Sequence, residues 1–230
     1  KIGGQAFDAT LSTEGQSATF LYVDATEGWI NTQETSNSVT GISPFIVATG
    51  GTESTSGNFK IHTFTGPGTF TVSGIGGTVA NNVVSYMVVA GGASGGASYG
   101  GGGGAGGFRE YKSPVDSYTA SPLNGNPGGT EITVTAQGYP ITVGAGGASR
   151  PGSPTQVGAP GSNSIFSTVT SAGGGGGGGT GSPLAGLPGG SGGGAGRDET
   201  TNNGSGNTPP VSPPQGNDGG QPAGSSWNGG

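Results

Sequence analysis

The stretch Ser171-Ala172 followed by Gly173-Gly174-Gly175-Gly176-Gly177-Gly178-Gly179 decides how the chain is read. Glycine has no side chain to bury and loses the most conformational freedom on ordering, so seven in a row build no ordinary core. Such a run is either a disordered linker or a segment ordered by backbone contacts alone. Two companions follow the same pattern: Gly91 to Gly107, reached through Met87-Val88-Val89-Ala90, and Gly189 to Gly196, broken by Ser191 and Ala195.

Composition extends the choice to the whole chain. Glycine is 57 of 230 residues, a quarter of the chain where about 7% is usual. Only 13 of those glycines precede residue 91, whereas six of the eight Phe do. The chain therefore divides into a conventional amino-terminal part and a glycine-rich remainder. Glycine at every third position with Pro between is absent, which excludes collagen. The formal net charge is −6, and charged residues are 8%; neither gives the basic footprint of nucleic-acid binding or of an anionic membrane surface. Cysteine is absent, which excludes disulfides and thiolate metal sites. No apolar run is long enough for a membrane-spanning helix. Lys1-Ile2-Gly3-Gly4 is not a signal peptide. With no initiator Met, and with Gly229-Gly230 falling in mid-pattern, the natural chain is expected to extend beyond the sequence in hand.

In chain order, Thr19-Phe20-Leu21-Tyr22-Val23-Asp24 reads as a β-branched and aromatic strand, stopped at Ala25-Thr26-Glu27-Gly28 and resumed at Trp29-Ile30-Asn31-Thr32 as a hairpin. Thr10 to Thr13 is a candidate short strand, and Trp29 is expected in the core. Residues 33–44 read as a linker. Phe45 to Thr49 opens a new unit. After a Gly/Thr/Ser loop, Asn58 to Phe64 alternates with period two, a strand exposed on one side, and Thr65-Gly66-Pro67-Gly68 turns into Thr69 to Val72. Val83 to Ala90 reads as a long apolar strand covered on both faces, the centre of a small sheet. It runs straight into glycine. Ile132 to Thr135 and Tyr139 to Val143 run into Gly144-Ala145-Gly146-Gly147, and Ser164 to Thr170 into Gly173 to Gly179. A strand before each glycine run favours an ordered layer with strands as anchors over a linker. The conformation that suits such a layer is the threefold, polyproline-II-like extended helix, rising about 3.1 Å per residue with its N–H and C=O groups pointing outward to neighbours. The Pro-rich tail from Thr208 through Pro214 is also expected to be polyproline-II in character.

Candidate chemistry is sparse. His62, the lone histidine, is placed on the outward side of its strand in a surface or packing role, with no second ligand for zinc. Asp24, Glu27 and Glu34 read as solvated charges rather than an acid pair. Arg109-Glu110 and Arg197-Asp198-Glu199 read as charged ends where glycine segments turn back to solvent. Asn203-Gly204-Ser205 is a glycosylation triplet of the kind that arises by chance, and the glycine strings lack the context of a nucleotide loop. No catalytic, cofactor-binding or metal-binding residue is assigned, no cofactor is expected, and the chain is expected not to be an enzyme.

Two sets of motifs resemble known proteins. Lys1 to Gly4, Leu11 to Ser17 and Leu21 to Trp29 resemble the end of a β-rich module in tail-fibre and virion structural proteins of marine and freshwater phages. Phe59 to Val72, Tyr86 to Gly92, Gly107 to Glu110, Tyr139 to Gly147 and Gly161 to Phe166 resemble the glycine-rich domain of phage fibre and appendage proteins. The resemblance implies a virion fibre or adhesin, commonly trimeric, with a polyglycine-helix layer and no catalytic residues. Expected partners are other copies of the chain, other virion or fibre proteins, and host-surface glycan or protein, without nucleic acid or membrane insertion, at the virion surface or outside the cell. The expected fold is all-β: short sheet modules followed by polyglycine-II-like helices, with no significant α-helix. A β-rich module occupies residues 1–44, a glycine-rich domain with strand anchors 45–200, and a Pro/Gly-rich continuation 201–230. The rival reading is a subunit of an extracellular microbial filament or surface layer, joined by strand or glycine-helix packing.

Overall fold

A computed structural model describes residue 2 and residues 18–34, 45–128, 130–150, 156–180, 185–197 and 202–221. Every regular element among them is β, apart from one turn of 3-10 helix at Val79–Asn82. The hairpin read near the start is present. Strand β1 (Ala18–Asp24) pairs antiparallel with β2 (Gly28–Glu34), Leu21 facing Ile30. Asp24 closes its turn, Oδ1 accepting the N–H groups of Thr26 and Glu27 at 2.7 Å each, and Gly28 takes the positive φ of 71° that ends the turn. Trp29 is not core. It is 48% exposed and meets Tyr22 edge-on at 5.4 Å; among the described residues no second sheet layer packs on this two-stranded ribbon, whose one further pairing is a bridge from Ile2 to Trp29. The strand at Thr10 to Thr13 and the linker beyond residue 34 fall outside the described residues.

The main sheet has five antiparallel strands in the order β11-β10-β9-β6-β3. These are β3 (Val47–Thr49), β6 (Gly68–Gly74), β9 (Gly138–Thr142), β10 (Ser164–Phe166) and β11 (Val169–Ser171). Its centre is β9, not the 83–90 stretch. That stretch supplies β7 (Tyr86–Val89), which pairs only with β8 (Phe108–Tyr111). Tyr86 and Val88 are buried while Met87 and Val89 are exposed, so β7 is covered on one face. Ile132 and Val134 are core residues without being a strand; Thr133 makes one bridge to Val83. Ser164 to Thr170 is likewise not one strand but the β10–β11 hairpin, turned at Ser167 with φ 53°.

A further ribbon joins β4 (Thr52–Ser56), inside the expected loop, to β5 (Phe59–Thr63). It reverses the expected sidedness of β5: Ile61 is 41% exposed, and His62 is the half-buried residue. The cause is Phe64, packed over the Gly50-Gly51 corner, where Gly50 (φ 116°) and Gly51 (φ 65°) have no room for a Cβ. That corner brings the inward side of β5 onto Phe70.

The core is aromatic and lies between the five-stranded sheet and the β7–β8 pair. Phe166 is its hub, edge-on to Tyr86 at 5.9 Å, Phe70 at 6.1 Å and Tyr139 at 6.2 Å. Tyr86 stacks on Tyr111 at 6.0 Å, and Ala48, Val72, Val83, Val88 and Val169 fill the remainder. Edge-on aromatic pairs of this kind add to the burial of their area. Truncation of Phe166 to Ala removes the hub and is expected to cost about 3–5 kcal/mol in denaturant unfolding; a loss below about 1 kcal/mol would remove Phe166 from that role.

Burial, and after it the hydrogen bond that Tyr111 Oη donates to Glu131 at 2.9 Å, pushes the Tyr111 phenol up to about 12. The fold therefore favours the neutral phenol. Its stabilising share is complete below pH 10 and is lost as the pH rises from 10 towards 12. Unfolding midpoints across that window are expected to fall more steeply in the native chain than in Tyr111→Phe.

Candidate functional site

Three strands, β7, β9 and β11, each run into a glycine-bearing segment, as the sequence implies. Side chains give way to backbone there, but pairing does not stop. Val89 faces Phe108 in β7–β8, and the same register continues outward with Ala90 N–H to Gly107 O (3.1 Å), Ala93 to Gly104 (2.9 Å) and Gly96 to Gly101 (2.9 Å). Likewise Thr142 faces Ile165 in β9–β10, and Ser162 N–H reaches Ala145 O at 2.9 Å in the same register. In the first pair, bonded positions beyond the strands recur every three residues. That is neither the period of two of a strand nor the 3.6 of an α-helix.

Residues 172–179 lie at the middle and are all buried. The carbonyls of Ala172, Gly175 and Gly178 accept from the N–H groups of Gly107, Gly104 and Gly101 at 2.7–2.8 Å. Those of Gly174 and Gly177 accept from Gly161 and Gly158 at 2.9 and 2.8 Å, and those of Gly173 and Gly176 from Gly190 and Leu187 at 2.8 Å. The N–H groups of Gly174 and Gly177 donate to Gly91 and Ser94, and those of Gly175 and Gly178 to Ser191 and Gly194. One segment thus bonds to five others (90–97, 99–107, 156–162, 185–190 and 191–197), and each set of partners recurs every third residue.

The lack of side chains is a spatial necessity here. A Cβ on Gly175 would overlap the Leu187 carbonyl oxygen, one on Gly176 the Gly158 oxygen, and one on Gly177 the Gly101 oxygen. Polar side chains close the ends. Ser171 Oγ donates to Val88 O at 2.7 Å, and Asn163 Oδ1 accepts Gly173 N–H at 2.9 Å. Gln215, 2% exposed, was not singled out by the sequence. Its Oε1 accepts Ala172 N–H (2.8 Å), its Nε2 donates to Pro209 O (2.9 Å) and its carbonyl accepts Phe108 N–H (2.9 Å). A glutamine between Pro-Pro and Gly carries no periodic signal that marks it as buried. The tail is not a straight polyproline-II rod. Asn207 folds it back, its Oδ1 accepting from Val211 and Gln215 N–H and its Nδ2 donating to Val211 O.

The residues weighed for chemistry do not converge. His62 Nδ1 lies 2.8 Å from Gly50 O and 3.9 Å from Glu53, and its ring meets Phe70 edge-on at 5.1 Å, a packing role. Asp24 caps a turn, and the side chain of Glu34 lies outside the described ones. Arg197 caps its segment at the tip far from the strands, its guanidinium 5.1 Å from the Tyr99 ring centroid; Asp198 and Glu199 lie outside the described residues. Asn203 Nδ2, the atom a glycan would occupy, donates to Gly219 O at 2.7 Å. The expectation for Arg109 and Glu110 is overturned. They are 8% and 9% exposed, because the glycine segment returns into β8 beneath the tail instead of into solvent. Glu110 Oε2 accepts Ser121 N–H at 3.0 Å. Among the described residues no cluster of His, Cys, Asp or Glu is arranged to hold a metal ion, and no helix is long and apolar enough to cross a membrane.

A family model described as a glycine-rich domain matches residues 65–230. No curated protein and no solved structure matches the chain.

Substitution of glycine inside the lattice and in the turn before β6 has two contrasting expected outcomes. Gly176→Val is expected to abolish the cooperative transition, since its Cβ enters backbone that cannot retreat. Gly66→Ala, with nothing within 4 Å of the added methyl, is expected to unfold like the native chain. Equal thermal transitions for both variants would remove the close-packing requirement.

Proposed function

The chain belongs to the glycine-rich domain family, and on that footing we propose that it is a structural fibre or adhesin component of a phage virion. Its glycine segments act as a bundle of polyglycine-II-like helices that displays loops for attachment to a host surface. The observation that carries this reading is the three-residue recurrence of backbone bonds around residues 172–179, the period of the threefold extended helix. Such a bundle is rigid without needing large side chains, which suits an exposed appendage. The tip beyond the strands offers contact groups: Tyr99 is 55% exposed and stands against Arg197. Loops held by a rigid scaffold are where binding residues concentrate.

Self-association belongs to the same proposal. Leu21, Tyr22, Val23 and Trp29 are each about half exposed on one small ribbon, and a two-stranded ribbon gains stability from a neighbour. A homo-oligomer, most simply a trimer about the fibre axis, covers them. The chain acts by holding shape, not by catalysis, and its place is the virion surface. Electron microscopy and solution mass of the native object test the proposal. A closed trimer on a virion appendage is expected. An open helical array of subunits would replace the fibre with the filament or surface-layer reading, and a free monomer would remove both.

A further inference from the structure

Arg109 is more than nine-tenths buried on β8, yet no hydrogen bond or ion pair joins its guanidinium to any described residue. Its nitrogens are nevertheless not among the sealed, partnerless polar atoms of the described residues; they open onto a cleft, where an anion can reach them. Its charge is felt locally: burial raises the Tyr86 phenol above its ordinary value, and Arg109 opposes that rise. Thr130 Oγ1 is buried with no hydrogen-bond partner, while the Thr130 carbonyl accepts from Tyr86 Oη at 2.6 Å. Arg109 and Thr130 line the same cleft, of about 290 Å³, together with Thr168, Val169, Thr170, Pro209 and Val211. Thr168, Thr170 and Pro209 are exposed at its rim, and Val169 is buried in its wall.

We propose that this cleft between the β10–β11 turn and the Pro-rich tail binds a carboxylated sugar, Arg109 taking the carboxylate. The guanidinium fork matches a carboxylate in two parallel hydrogen bonds. Among the described residues Arg109 is the one charged side chain lining the cleft, so its single positive charge balances a carboxylate and not a phosphate dianion. Thr168 and Thr170, exposed at the rim, offer hydroxyl partners for ring hydroxyls, and Val169, Val211 and Pro209 offer an apolar surface for the C–H face of the ring. The volume lies at the small end of ligand sites, the scale of one ring. This inference rests on the proposed attachment role and names the surface chemistry that the chain would recognise.

Calorimetric titration of the 230-residue chain with glucuronate, glucose, acetate and inorganic phosphate tests it. Glucuronate is expected to bind, glucose not to, and acetate and phosphate to bind at least about tenfold more weakly than glucuronate. Arg109→Gln is expected to weaken glucuronate by at least about tenfold, with Arg109→Lys between the two. Thr168→Glu, at the exposed rim, sets a competing carboxylate before Arg109 and is expected to abolish binding with an unchanged thermal transition, which keeps the test decisive if the Arg109 variants fold poorly. No glucuronate binding by the folded chain, binding of glucose as tight as that of glucuronate, or full glucuronate binding in Thr168→Glu overturns the site. Acetate or phosphate as tight as glucuronate overturns the sugar. A chain that forms closed trimers without binding glucuronate loses only this site, whereas binding by a chain that forms no fibre retains the site and overturns the attachment role.

Discussion

The hydrogen bond from one glycine segment to the next is the interaction on which the rest depends, and it forms only because nothing stands between the two backbones. At Gly174, Gly175, Gly176 and Gly177 an added Cβ would sit inside a neighbouring carbonyl group. Such contacts do not make the layer stable by themselves. Fixing a residue costs about 1–2 kcal/mol of backbone entropy, and more for glycine. A hydrogen bond made in place of one to water returns only about 0.5–1.5 kcal/mol. With almost no apolar side chains to bury, a glycine layer stands near balance and needs stability from elsewhere.

The aromatic core supplies it, and supplies register too. A polyglycine segment carries no pattern that distinguishes one alignment from a neighbouring one, and slippage is the expected failure of such a chain. The strands remove the ambiguity. Tyr86 and Val88 on β7 and Tyr111 on β8 bury in the core, so the β7–β8 register is fixed by side chains, and the bonds from Ala90 to Gly96 inherit it. Ser171 and Gln215 act in the same direction, tying the first residue of the central segment to β7, β8 and the tail. Information thus resides at the strand end, and the glycine end repeats it.

This division explains what could be read in advance. The β1–β2 hairpin and the strand before each glycine run were legible because β-branched and aromatic runs meet turn residues there. Strand β4 was not, since Thr52-Glu53-Ser54-Thr55-Ser56 has the composition of a loop and becomes a strand by pairing with β5. The break of Ser164 to Thr170 into a hairpin was hidden because Thr168 is a strand former and Ser167 is not the Gly or Asn that marks a left-handed turn; the positive φ at Ser167 goes with β10 and β11 meeting in the sheet. Arg109 and Glu110 misled for a related reason. Charge predicts exposure only where the chain is free to reach solvent, and β8 is fixed on one side by β7 and covered by the tail.

The buried arginine is then a consequence of the lattice as much as a feature of β8. The segment 99–107 enters β8 in a register set by β7, so Arg109 faces Val88 whether or not that position suits a charge. A fold that fixes register this firmly cannot move the charge away, and the cleft beneath the Pro-rich tail gives the guanidinium access to solvent or to a partner from outside. Gln215 and Asn207 hold that tail in place, so the backbone bonds that order the central glycine segment and the wall that shapes the cleft meet in one glutamine. Loosening Gln215 would disturb both, which couples the order of the layer to the shape of the cleft.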